Sequence, residues 1–145
     1  MEEPNTGPSS GVPESERLRQ HPAERFAAPQ HHYNLHEVAT RLGREAEAGQ
    51  AGHRQETLYK HGATTVALFL FGHLTRLPAH RAGGVVVIQV LEGHIQVTAE
   101  DRAHDLHAGH LLALAPGVEH DVLAREVSRM LLTVHLDADA ANRSE

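Results

Sequence analysis

"GGVVVIQVLEGHIQVTA", residues 83–99, decides the fold. An apolar, β-branched run from Val85 to Leu91 stops at Glu92-Gly93, and the chain then resumes in strict alternation from His94 to Ala99. β-Branched side chains fit a pleated surface, and a period of two sends alternate side chains to opposite faces, so the stretch predicts two strands joined by a turn. The same texture extends both ways. Upstream stands "TTVALFLFGHLTRL", residues 64–77. Downstream come a turn at 100–102, "AHDLH", a turn at Gly109, "HLLALA", the Pro116-Gly117 corner, "EHDVLA" and "SRMLLTVHL". Seven or eight short strands separated by turns rather than helices predict an antiparallel sandwich or barrel.

Ahead of the strands the pattern changes. "NLHEVATRLGREAEAGQ", residues 34–50, sets Leu35, Val38, Leu42 and Ala46 at helical spacing. Asn34 is placed to cap the helix, Glu37 occupies the capping-box position and Gly49 marks a stop. Residues 1–30 carry Pro4, Pro8, Pro13, Pro22 and Pro29 among Ser, Gly and Glu, with no apolar period. Such a segment buries too little surface to offset the entropy of ordering, so it reads as a flexible tail.

Composition limits the function classes. The 145 residues suit one domain, and 40% apolar content suffices for a core. A formal charge of −6 and 3% aromatic residues argue against a nucleic-acid surface, which needs clustered Lys and Arg and aromatic platforms. No run approaches the roughly 18 uncharged apolar residues of a membrane span, and the acidic, Pro-rich start lacks a signal-peptide pattern, so the expectation is a cytoplasmic protein with no membrane partner. The absence of cysteine excludes disulfides and thiolate chemistry. Any metal would need His, carboxylate or amide ligands, and 14 histidines make that question worth asking.

"LPAHRAGGVVVIQVLEGHIQV", residues 77–97, followed by "AGHLLALAPGVEHDVLA", residues 108–124, resembles the two sequence motifs of the cupin superfamily. The resemblance covers about residues 57–136, and its most specific parts are the Val90 to Gly93 turn and the stretch from Gly109 through Pro116 and Gly117 to His120. It implies an all-β, double-stranded β-helix (jelly-roll) barrel. The expected organisation is a tail over 1–30, an amphipathic helix over 31–52, the barrel over 53–138 and a C-terminal tail over 139–145. Cupin barrels commonly pair through an edge strand, so the resemblance also implies a homodimer. The apolar run at 64–71 needs a cover, from the helix or from a second subunit.

The resemblance further implies where chemistry would sit. Metal-binding cupins supply two histidines one residue apart, then a glutamate, and a third histidine from the second motif. His80 and His120 stand at the first and last of these positions, while Ala82 and Val86 occupy the other two. Two histidines alone hold a divalent ion weakly, so other donors would have to complete the set. His73, His94, His135 and Gln89 are the candidates, although strand parity turns Gln89 outward if Val86 points inward. Arg76 and Arg81 flank His80 and could hold an anionic ligand.

Two further histidine groups stand out. His104, His107 and His110 would align on a helix, but Gly109 and the strand pattern predict that they diverge around a turn. His31, His32 and His36 read as an exposed lead-in to the helix. Three functions therefore emerge. The first is a non-catalytic barrel whose apolar lumen, lined from strands such as "VVVIQVL" and "LLALA", accepts a mostly apolar small molecule, with His80 and His120 at its mouth as the polar contacts and as holders of one Fe, Mn, Ni or Zn ion if the ligand set is completed. The second is a metal-dependent oxygenase or isomerase. The third is a structural barrel filled by its own side chains.

Overall fold

The computed structural model describes residues 22–45 and 52–137. Two short helices, α1 (Pro22–Arg25) and α2 (Leu35–Glu45), precede nine strands. These are β1 (His53–His61), β2 (Thr64–Phe71), β3 (Arg76–His80), β4 (Gly84–Glu92), β5 (His94–Ala99), β6 (Arg102–His107), β7 (Leu111–Leu114), β8 (His120–Ala124) and β9 (Ser128–Leu136). They form a five-stranded sheet in the order β1-β2-β9-β4-β7 and a four-stranded sheet in the order β3-β8-β5-β6. Every pairing is antiparallel. The strand series predicted an antiparallel sandwich or barrel, and the arrangement is the jelly-roll that the cupin resemblance implied.

Alternation along the strands builds the core. Phe69 and Phe71 of β2, Val86, Ile88 and Val90 of β4, Ile95 and Val97 of β5, Val122 and Ala124 of β8, and Met130 of β9 all fall in one buried cluster between the sheets. Their partners in sequence point the other way, so Gln89 lies on the opposite face from the buried Ile88 and Val90. The turn between β4 and β5 is fixed by Gly93, whose φ is +96°. A Cβ there would approach Ser128 Oγ to 2.3 Å and the Val127 carbonyl to 2.5 Å. Only glycine meets both the dihedral and the close approach.

Helix α2 supplies the cover that the apolar β2 requires. The Glu37 amide donates to Asn34 Oδ1 at 3.1 Å, and the Val38 amide donates to the Asn34 carbonyl at 3.0 Å, as the cap predicts. Val38, Ala39 and Leu42 are buried. Val38 and Ala39 form a second core with Leu58 of β1 and Leu68 of β2, against which Val66, Leu70 and Leu131 pack. Arg41 on the same helix reaches down to Glu56 of β1, with Nη2 at 3.1 and 3.3 Å from the two carboxylate oxygens. Among the described residues no helix covers the strip of the same sheet face over β4 and β7, and Val85 and Leu111 are 41% and 58% exposed.

Part of the stretch assigned to the tail is also packed. Residues 1–21 lie outside the described residues, but Phe26 is buried, and Arg25 Nη2 donates to the Thr57 carbonyl at 2.7 Å. His31 is not an exposed lead-in. It is half-buried, with its ring centroid 5.9 Å from Phe26, 6.5 Å from Tyr33 and 5.3 Å from Tyr59. One phenylalanine in a Pro-rich, polar stretch leaves no periodic signal, yet it contributes a large buried surface. His32 and His36 are exposed. Ala46 and Gly49, read as the end of the helix, and residues 138–145 lie outside the described residues.

Candidate functional site at the barrel rim

The site begins with a register shift between β3 and β8. Arg76 pairs with Leu123 and Leu77 with Val122, but the next pair is His80 with His120, so three steps on β3 match two on β8. Pro78 and Ala79 form the bulge, and Pro78 has no amide to contribute to the ladder. Without the extra residue His80 would face away from Leu77. The bulge restores it to the same side, and the His80 and His120 rings come to 4.6 Å between centroids, tilted by 54°.

His120 arrives from the other direction. Gly117, with φ +82°, turns the chain after Pro116, and β8 then alternates so that His120, Val122 and Ala124 all point inward. His120 is 4% exposed, whereas His80 is exposed. The two loops that carry them are bolted together. The Gly117 amide donates to the Ala82 carbonyl at 3.1 Å, Arg81 Nη1 donates to the Gly117 carbonyl at 2.9 Å, and Arg81 Nη2 lies 3.4 Å from Glu119 Oε1.

Hydrogen bonding sets the imidazole tautomers. His120 Nδ1 lies 3.1 Å from the Val118 carbonyl and His80 Nδ1 lies 3.3 Å from the Pro78 carbonyl. A carbonyl oxygen only accepts, so Nδ1 carries the proton in each ring and Nε2 of the neutral ring is left as an acceptor. Among the described residues neither Nε2 has a hydrogen-bond partner. Beside His120 the rim opens into a concavity of about 390 Å³. It is walled by Glu100 and Asp101 of the β5–β6 turn, by Glu119 and Asp121, and by Arg81, with His120 among its lining residues.

The other sequence candidates are not gathered here. Gln89 faces away from the core. His73 is exposed in the β2–β3 connection. His135, exposed on β9, has Nδ1 2.9 Å from Thr64 Oγ1. His94 belongs to a separate group on the outer face of the four-stranded sheet, with Nε2 2.8 Å from Asp105 Oδ1 and its ring stacked 4.2 Å from that of His107. The hydrogen bond from His94 holds the Asp105 carboxyl below its usual pKa against the opposing effect of desolvation, with further help from the charges of His94, His107 and Arg125.

His110 completes the outer group, its ring 5.6 Å from that of His107, so these two do not diverge as the turn suggested. His104 does part from them, being half-buried opposite the inward-facing Val97. Arg76 lies 3.4 Å from Asp121, so both arginines near His80 are engaged by carboxylates.

The donor set decides how the rim fits a metal. It offers two imidazole nitrogens where a divalent cation wants four to six donors, and Val86, at a position where metal-binding cupins carry a ligand, is part of the apolar core. Among the described residues no three His, Asp or Glu side chains are placed to hold a metal ion. The described residues do not fit a resident divalent cation.

A jelly-roll with paired histidines at its rim defines the chain as a cupin, and comparison with known proteins agrees. The model of the AraC-like ligand-binding domain matches residues 70–144, and the chain belongs to that family. A search of curated proteins finds no significant match.

Among solved structures, a cupin superfamily protein from Desulfitobacterium hafniense is 20% identical over 66% of this chain and 88% of its own, with a TM-score of 0.60. The cupin domain of Schizosaccharomyces pombe Cnp3 is 15% identical over 66% of this chain and 72% of its own, with a TM-score of 0.58. Salicylate 1,2-dioxygenase from Pseudoaminobacter salicylatoxidans, crystallised with gentisate, is 15% identical over 77% of this chain and 34% of its own, with a TM-score of 0.63. At these identities the likeness is one of fold. Among the described residues no helix is long and apolar enough to cross a membrane.

Proposed function

We propose that this domain binds a small molecule without catalysing its conversion, at the rim concavity beside His120. One observation carries the reading. His120, 4% exposed and held through Nδ1 by the Val118 carbonyl, lines an open concavity of about 390 Å³ together with Arg81, Thr98, Glu119 and Asp121. The family description, a ligand-binding domain, supports the same reading. The space between the sheets is occupied by side chains such as Phe69, Phe71 and Ile88, which favours the rim over the lumen as the ligand site. A metal-dependent oxygenase or isomerase would need further donors, because among the described residues no third His, Asp or Glu joins the two imidazoles in holding a metal ion.

The test is a small-molecule screen followed by amide NMR of the full chain. Binders are expected to perturb residues 79–81, 98–101 and 117–121 together, and His120→Ala is expected to weaken them by tenfold or more. Binders that shift only residues elsewhere, or that bind the variant equally well, overturn the reading. Metal analysis of tag-free protein runs beside it. Near-stoichiometric iron, manganese, nickel or zinc, abolished by His80→Ala and by His120→Ala, would restore the enzyme reading.

A further inference from the structure

Each sheet ends in two edge strands, and the four edges are not protected alike. A free edge presents unpaired amides and carbonyls that will pair with another chain unless charge, proline or a bulge prevents it. β1 carries Arg54, Glu56 and Lys60 and a bulge between Thr57 and Tyr59. β3 carries Arg76, Pro78 and a bulge of its own. β6 carries Arg102 and Asp105. β7, Leu-Leu-Ala-Leu from Leu111 to Leu114, has no charge, no proline and no irregularity in its register with β4.

The backbone of β7 is aimed for such a pairing. The Val90 amide donates to the His110 carbonyl at 3.0 Å. Main-chain groups alternate sides along an antiparallel strand, so Leu112 and Leu114 turn theirs to β4, and Leu111 and Ala113 turn theirs to the free edge. Among the described residues no backbone group pairs with that edge.

The surface beside the edge is uncharged as well. On the outer face Leu111 stands beside Gln89 and Ala113 beside Val87, and the rows continue to Leu131 and Thr133 of β9. Leu111 and Ala113 are exposed. The chain carries a formal charge of −6, so two copies repel over much of their surface and meet with least repulsion where charge is missing. Residues 138–145, which follow the neighbouring β9, are Ala, Asp, Asn, Arg, Ser and Glu, with no large apolar side chain to lay over the strip.

We infer that β7 pairs with β7 of a second copy about a two-fold axis, joining the two five-stranded sheets into one. In the register centred on Leu112, Leu111 of each copy lies opposite Ala113 of the other, and each such pair exchanges two main-chain hydrogen bonds. The edge is its own complement, because a large side chain then meets a small one on the outer face at both pairs. Strand addition of this kind takes its affinity from the main chain, and the apolar side chains beside it set the register.

The experiment is sedimentation velocity of the full chain from about 1 µM to about 500 µM, where a reversible monomer–dimer equilibrium is expected. Amide hydrogen exchange at the two ends of that range is expected to show Leu111 and Ala113 gaining protection with concentration, and residues 54–60, 76–80 and 102–107 unchanged. Leu111→Lys charges the edge, and Ala113→Pro removes an amide that faces away from β4. Each is expected to weaken association roughly tenfold or more, with circular dichroism confirming the parent fold. Val127→Lys, at a residue 70% exposed in the β8–β9 turn, is expected to leave association unchanged. Added salt is expected to strengthen the dimer by screening the net charge. A monomer throughout the concentration range, a dimer whose protection falls on another edge, or a dimer that folded Leu111→Lys and Ala113→Pro leave intact would each overturn the inference.

Discussion

Leu68 and Leu111 are both leucines on the same outer face of the five-stranded sheet, and they differ in what lies over them. Leu68 is 0% exposed beneath Val38 and Ala39 of α2, whereas Leu111 is 58% exposed on the edge strand β7. If α2 is the cover that β2 needs, Leu68→Ala removes three buried carbons and leaves a cavity that the helix and sheet close only in part. Such truncations cost about 2–5 kcal/mol, and about 3 kcal/mol suits a site walled on one side by a single short helix.

Spread over the roughly 110 described residues, at about 2.1 cal/mol/K of unfolding entropy each, that loss lowers Tm by about 13 °C. Leu111→Ala loses little buried surface and is expected to stay within about 0.5 kcal/mol of the parent. Urea unfolding followed by circular dichroism, with calorimetry for Tm, measures both. A Leu68→Ala loss below about 1 kcal/mol, or equal losses at the two positions, would refute the assignment of α2 as the cover.

Three further outcomes follow from the same structure. Gly93→Ala must place a Cβ 2.3 Å from Ser128 Oγ at a φ of +96°, so it is expected to cost about 3 kcal/mol or more in urea unfolding. Arg41→Ala removes the guanidinium that donates to both oxygens of the Glu56 carboxylate, which is 6% exposed, and is expected to cost about 1–3 kcal/mol. Adding Glu56→Gln should recover part of that loss in a double-mutant cycle.

Asp105, held below its usual pKa by His94, contributes stability at pH above the ordinary carboxylate value. That contribution fades as pH falls through the lowered value of the folded state. Carboxyl carbon NMR of His94→Ala should show Asp105 titrating closer to its usual pH.

The sequence by itself determined the strand series, the Asn34 cap, the Gly93 turn and the outward face of Gln89. Each depends on spacing along the chain, on periods of two and 3.6 or on one residue's dihedral freedom, which a one-dimensional reading captures. It also placed His80 and His120 as a pair, through motif resemblance.

What it could not supply depends on which strands are neighbours. The bulge at Pro78-Ala79 reverses the parity of His80, and only the pairing with β8 shows it. His94 meets His107 because β5 and β6 are paired, and His110 joins them around a turn that the linear spacing had suggested would separate the rings. Phe26 gave no periodic signal, since a single anchor has no period.

The acceptor-lined concavity was the least legible feature. Glu100 and Glu119 come from separate turns, and what brings them together is the closure of the chain around His120, whose Nε2 is the acceptor of its ring. That nitrogen's role as an acceptor is set by a backbone carbonyl two residues away, a contact of folded geometry rather than of composition.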